Sequence, residues 1–322
     1  MFEERSKDRV PHRVDAVPVR HPWRWVSAVV VLVLAAMAVN ALITNPHFAW
    51  PTVRQYLFSD PILRGVGWTI WLTVASMVIA AVLALLLAVM RRSDNRVMRY
   101  VAWVYIWFFR GTPVYTQLAF WGLISVLYPR LSAGVPFGPG FWHFTTSELI
   151  NASRAAILGL ALNEAAYLAE IVRAGLGSVD TGQSEAARAL GMHSGTILRR
   201  VVLPQAMRVI VPPTGNETIS MLKTTSLVLA VPFTLDLNYA QGAIANRIFA
   251  PLPLLVVAAI WYLAITSLLM VGQHYIERYY GRGFDQRRVA GGRGRQAAIA
   301  AARTTPVSTT FDDMGRPSGG AA

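Results

Sequence analysis

Long uncharged apolar runs constrain this chain more than any other feature. About 20 residues rising 1.5 Å each cross the hydrocarbon of a bilayer. The first such run is Trp25 to Ile43, the second is Val66 to Met90, closed by Arg91-Arg92, and the last is Leu252 to Gly272. Of 322 residues, 54% are hydrophobic and 15% charged, more apolar side chain than one water-exposed core of that length hides. The first run starts far from Met1 and has no small-residue cleavage site after it, so it reads as a retained anchor.

Three further stretches are less uniform. Tyr100 to Tyr128 is too long for one simple span and is broken at Arg110-Gly111-Thr112-Pro113. Its aromatic first half, YVAWVYIWFF, suits an interfacial helix, which leaves Gly111 to Tyr128 to cross. Arg110 itself reads as a snorkelling cation before a proline-started helix. Ala155 to Leu176 contains Asn163, Glu164, Tyr167 and Glu170, and Pro212 to Val231 contains Asn216, Glu217, Ser220, Lys223 and Thr224. Such groups are costly against lipid and are expected to face protein or water. The sum is an all-α polytopic membrane protein with about six transmembrane helices.

The arginines orient it. Arg91, Arg92, Arg96 and Arg99 fill one connection, and Arg188, Arg199, Arg200 and Arg208 fill another two spans later. The positive-inside rule places both in the cytoplasm, and six crossings then put both termini there. Segment 1–23 is read as cytoplasmic, 24–44 as an extra N-terminal transmembrane helix, and 283–322, rich in Gly, Ala, Arg, Thr and Pro, as a disordered cytoplasmic tail able to touch anionic lipid. The net charge of +13 lies between or beyond the apolar runs, which suits membrane topology and not nucleic-acid binding.

Several chemistries are excluded. With no cysteine there are no disulfides, thiolate metal sites or cysteine nucleophiles. The two lysines, Lys7 and Lys223, stand in no Gly-Lys-Ser/Thr context, so there is no phosphate-cradling P-loop. The six histidines show no ligand spacing, and no metal, cofactor or catalytic constellation is expected.

The connection between the fourth and fifth spans, 177–211, is patterned: GQSEAARALGMHSGTILRRVVLPQAMRVIVPP. Ser184 to Leu190 has strong helix formers with an acid early, and Gly191 can end that helix in a left-handed turn. Thr196 to Val202 reads as a second short helix stopped by Pro204. Glu185-Ala186-Ala187, three residues, Gly191, nine residues, then Val201-Val202-Leu203-Pro204 resembles the EAA loop of bacterial ATP-binding-cassette (ABC) importer permeases, with Val201 in place of isoleucine. RGTPVYTQL at 110 to 118, YLAEIVRAGLGSVDTGQSEAARALG, LPQAMRVIVPP and LKTTSLV resemble the polar-amino-acid branch (histidine/glutamine/arginine type). The resemblance covers about 60–275 and implies a type I, MetI-like permease core in a bacterial inner membrane.

The family implies that Glu185, Ala186, Ala187, Gly191, Leu203 and Pro204 form a coupling element seated on a separate ABC ATPase subunit. It also implies an extracytoplasmic solute-binding protein, a second permease chain, the same or a sister, and an amino acid as cargo. From the residues themselves, Asn163, Tyr167 and Glu170 share one helical face, as do Asn216, Ser220 and Lys223. These faces are expected to line the translocation path. Glu164 and Lys223 lie equally deep, which allows Glu164 or Glu170 to oppose Lys223, either as a structural pair or as a substrate contact. The alternative function is a stand-alone secondary transporter or channel using intramembrane Glu and Lys as its relay.

Overall fold

A computed structural model of the chain describes residues 22–135 and 140–281. The sequence up to residue 21 and the tail 283–322 lie outside them. Among the described residues, four helices are long and apolar enough to cross a membrane: α1 (Pro22–Thr44), α3 (Asp60–Arg92), α8 (Ala152–Gly177) and α13 (Pro251–Tyr280). Between α1 and α3 lies the short α2 (Trp50–Tyr56). At 33 residues, α3 is about 50 Å long, longer than its apolar run because the polar ends stay helical. Nothing from the rest of the fold covers α1, none of whose residues is buried.

The centre is the pair α3 and α8. Alanine on both lets them approach closely: Ala80, Ala84 and Ala88 on α3 and Ala161, Ala165, Ala166 and Ala169 on α8 are all fully buried. The third apolar stretch departs from expectation. No single helix covers Gly111 to Tyr128. Instead α4 (Arg96–Gly111) and α5 (Val114–Gly122) meet at a break at Thr112-Pro113, followed by the short α6 (Ile124–Leu127). The aromatic half packs by one face alone, Ala102 and Ile106 of α4 joining a core with Leu87, Ala165, Ala166, Leu168 and Ala169, while Trp103 and Trp107 stay exposed. Farther along α8, Leu118 of α5 packs with Ala155, Ala156 and Leu160. The two pieces thus climb α8 in series. Pro113 has no N–H to continue the ladder and disfavours a helical residue before it, so the break falls there.

After α6 the chain forms a two-stranded antiparallel hairpin, β1 (Arg130–Gly134) and β2 (Gly140–Thr145), the one strand pair among the described residues of an otherwise helical fold. α7 (Thr146–Leu149) links it to α8. Beyond α8, α9 (Thr181–Ala189) and α10 (Ser194–Ile197) precede a π turn, Leu198–Val202, and α11 (Leu203–Thr224).

Pro204 does not stop the second short helix. The wider π turn, in which Leu203 N–H reaches the carbonyl of Leu198, makes room for the proline ring, and helix continues into α11. The helix α11 therefore starts nine residues before Pro212, where the fifth span is expected to begin, and passes into a 3-10 turn at Thr225–Ala230. α11 carries too many polar groups for lipid and packs on both α8 and α13. Gln273 of α13 donates to the Pro212 carbonyl at 2.7 Å, against Gly215, where any Cβ would collide with that glutamine. The short α12 (Leu237–Ile248) closes the far side, its Leu237 backbone resting on Gly65 of α3.

Candidate functional site

Where α4 breaks, a cavity of about 450 Å³ opens between the α4–α5 joint, α8 and α11, lined among others by Arg110, Asn163, Glu164, Tyr167, Glu217 and Ser220. Its shape rests on two buried amides. Gln117 donates from Nε2 to the carbonyls of Phe109 (3.0 Å) and Thr112 (3.1 Å), and to the Thr112 hydroxyl at 2.6 Å. Asn163 donates to the Phe109 carbonyl at 2.9 Å and to Gln117 Oε1 at 3.1 Å. The carbonyls orphaned by the helix break therefore find side-chain donors, as buried backbone groups must. This clamp holds Arg110 at the cavity edge.

The charges converge. The Arg110 guanidinium sits 5.2 Å from the Tyr167 ring centroid, a cation–π distance. Glu164 is only 6% exposed, yet its Oε1 has no hydrogen-bond partner in the protein. Glu217 reaches in from α11 and lines the same cavity as Glu164 and Arg110. One cation and two carboxylates thus share a cavity within the usual range for small-molecule sites, about 300–1,000 Å³.

Lys223 does not oppose Glu164. It lines a separate groove between α11 and α13 with Asn216, Met270, Gln273, His274 and Glu277, while Ser220 borders both spaces. The reason is rotation. Glu217, Met221 and Thr224 form one stripe of α11, and six residues at about 100° each carry Lys223 about 120° around the helix from Glu217. Equal depth did not guarantee a common face. Glu170 does not oppose Lys223 either; it pairs with Arg173 on its own helix at 2.7 Å. Arg110, Gln117 and Glu217 were missed as site residues; the signal for Arg110 was its position directly before the Gly-Thr-Pro break.

The 177–211 loop is compact. Asp180 caps α9 by accepting from Gly182 N–H at 2.8 Å. Gly191 then takes φ +77°, and its N–H returns to the Arg188 carbonyl at 2.8 Å while Met192 N–H reaches that of Ala187 at 3.1 Å. Ala187 and Ile197 are buried where α9 meets α10 and the π turn. Glu185 and Ala186 stay exposed, next to Leu190, which at 83% exposure is a bare apolar side chain in a loop otherwise tightly folded. Leu203 and Pro204 open α11 on the exposed surface.

Residues 80–282 match the model of the family described as binding-protein-dependent transport system inner membrane component. The chain belongs to that family. This permease is 50% identical over 274 residues to the arginine transport system permease protein ArgU of Corynebacterium glutamicum, covering 85% of each chain. It is 35% identical over 243 residues to the L-cystine transport system permease protein TcyB of Bacillus subtilis, covering 75% of this chain and 95% of that one. The crystal structure of an amino acid ABC transporter with histidines superposes with a TM-score of 0.58 at 31% identity, over 69% of this chain and 95% of the other. The permease is therefore an integral inner-membrane transport component and not an enzyme, and an ABC importer permease works with an ATPase partner. The stand-alone transporter alternative is set aside.

Proposed function

We propose that this permease carries amino acids with a cationic side chain, and that the Arg110–Glu164–Glu217 cavity is a station on their path. The charge inventory of the cavity carries the reading. A zwitterionic backbone needs one cation for its carboxylate, supplied by Arg110, and one acid for its ammonium, supplied by Glu164, whose free oxygen lies buried at the cavity wall. Glu217 remains, and a second positive charge on the cargo would use it. The name of the relative ArgU, an arginine transport permease, supports the same class.

The rest of the assembly follows the family's logic. Two permease chains, identical or sisters, sit over two ATPase subunits, and a solute-binding protein delivers cargo from outside. The loop 177–211 lies in the cytoplasm with both termini. Glu185, Ala186 and Leu190 form the surface that touches the ATPase, Ala187 and Gly191 shape it, and Leu203 and Pro204 pass its motion into α11. Since α11 also carries Glu217, displacement of the loop moves one wall of the cavity.

The test is uptake by the assembled complex in vesicles, with labelled arginine and a neutral amino acid compared. Each charge-assisted hydrogen bond contributes about 1.5–3 kcal/mol, on the order of tenfold or more in affinity. Glu217→Gln should depress arginine uptake by that order and spare the neutral cargo, whereas Glu164→Gln should depress both. Equal loss of both cargoes in Glu217→Gln, or no loss in either variant, overturns the assignment.

A further inference from the structure

The β1–β2 hairpin belongs to neither the cavity nor the loop. Its register pairs Leu131 with Phe144 and Ala133 with Trp142, while Arg130 pairs with Thr145 and Ser132 with His143. Directly opposed residues point to the same side of a two-stranded sheet and alternate residues share a face. One face is therefore Leu131, Ala133, Trp142 and Phe144, without a charge, and the other is Arg130, Ser132, His143 and Thr145. Phe141 is the extra residue at the irregularity beside Ala133 and Gly134.

The apolar face is bare: Trp142 is 66% and Phe144 46% exposed. A lone two-stranded hairpin is marginal in water, and a bare aromatic face makes it more so. The stem is nevertheless firmly held. Thr146 is fully buried and bonds the carbonyls of Tyr128 and Pro129, and Arg154 of α8 donates to the carbonyls of Glu148 and Leu149 at 3.1 and 2.9 Å. The hairpin thus projects from a held stem beside the start of α8.

We infer that its aromatic face lies on the bilayer, at the boundary between acyl chains and headgroups. Continuity with the lipid-facing surface argues for lipid as the occupant. Leu123, Val126, Leu127 and Tyr128, which precede β1 by way of Pro129, are all more than half exposed, so exposed apolar side chains continue from α6 past Arg130 onto the hairpin. Tryptophan beside phenylalanine, with Arg130 on the opposite face within reach of lipid phosphate, is the chemistry of a membrane–water interface. Strands of five and six residues reach about 17–20 Å, enough to lie along the bilayer edge beside α8. So placed, the hairpin would set the depth of the outer ends of α5 and α8, the helices that wall the cavity.

The chain has no cysteine, so single labelling sites need no background substitutions. Ala133→Cys and Phe144→Cys on the apolar face, and Ser132→Cys and His143→Cys on the polar face, are labelled with the environment-sensitive fluorophore NBD. The full permease with its ATPase is placed in vesicles of phosphatidylethanolamine and phosphatidylglycerol, with and without bromine on the acyl chains. Labels at 133 and 144 should be blue-shifted and quenched severalfold more strongly by the brominated lipid than those at 132 and 143. Ala133→Cys alters the face so little that a collapsed hairpin cannot explain its result. Equal quenching on the two faces, no quenching, or a blue shift that ignores bromine and arises only when the solute-binding protein is added each overturns the inference, the last by assigning the face to a protein contact.

Discussion

Gly191 is the joint on which the proposed coupling surface turns, and its substitution separates backbone geometry from side-chain packing. An added Cβ there meets nothing within 4 Å, so crowding contributes no cost. What remains is φ +77°, a left-handed conformation that costs an L-residue about 1–2 kcal/mol. Asparagine tolerates it better than alanine, and β-branched valine worse. A shift of one or two kcal/mol changes a two-state ratio by about 5–30-fold, so Gly191→Ala should reduce the ratio of correctly folded to misfolded loop by that factor. The assay is ATP hydrolysis by the reconstituted complex, stimulated by binding protein and cargo, with uptake per ATP measured in the same vesicles. Stimulation should fall in the order Gly, Asn, Ala, Val at position 191, and co-purification of the ATPase should weaken in the same order. A ranking by side-chain size, with asparagine as damaging as valine, would refute the conformational argument, and unchanged stimulation in Gly191→Val would refute the coupling role.

Other outcomes can be stated more briefly. Gly175→Ala places a methyl against Ile210, where no space exists; it should destabilise the α8–α11 contact by about 1–3 kcal/mol, seen as a lower melting temperature in detergent and largely restored by Ile210→Ala. Asn163→Ala removes the donor to the Phe109 carbonyl and to Gln117 and should cost about 1–3 kcal/mol, with uptake of all cargoes reduced together; loss confined to one cargo would mean that Asn163 contacts substrate. Exchanging the charges, Glu164→Lys with Lys223→Glu, should not rescue uptake, since the two residues line different spaces; restored uptake would show that they meet across two chains.

How much of this was legible beforehand depends on the dimension considered. Depth along a helix follows from residue count, so the polar residues of α8 and α11 could be ordered along their helices. The loop was equally legible: a glycine following a run of helix formers has one cheap conformation, and Gly191 adopts it. Pro204 was misread because a proline's effect depends on the turn before it, and the π turn at Leu198–Val202 supplies the room that a regular helix would not. The aromatic face of the hairpin was not foreseen, since the alternation along β2 becomes a face only once β1 is paired to it in register.

The sequence by itself determined the membrane class and the family motif, because each is a local property of composition or spacing that tertiary contacts cannot revise. Rotation was decided elsewhere. Whether Lys223 or Glu217 meets Glu164 depends on which stripe of α11 packs on α8, and that is set by Gly175 receiving Ile210 and Gly215 receiving Gln273, contacts between residues far apart in the chain. The helix break that brings Arg110 to the cavity was written at Pro113, but only Gln117 and Asn163, closing on the same carbonyl from two helices, turned a break into a site.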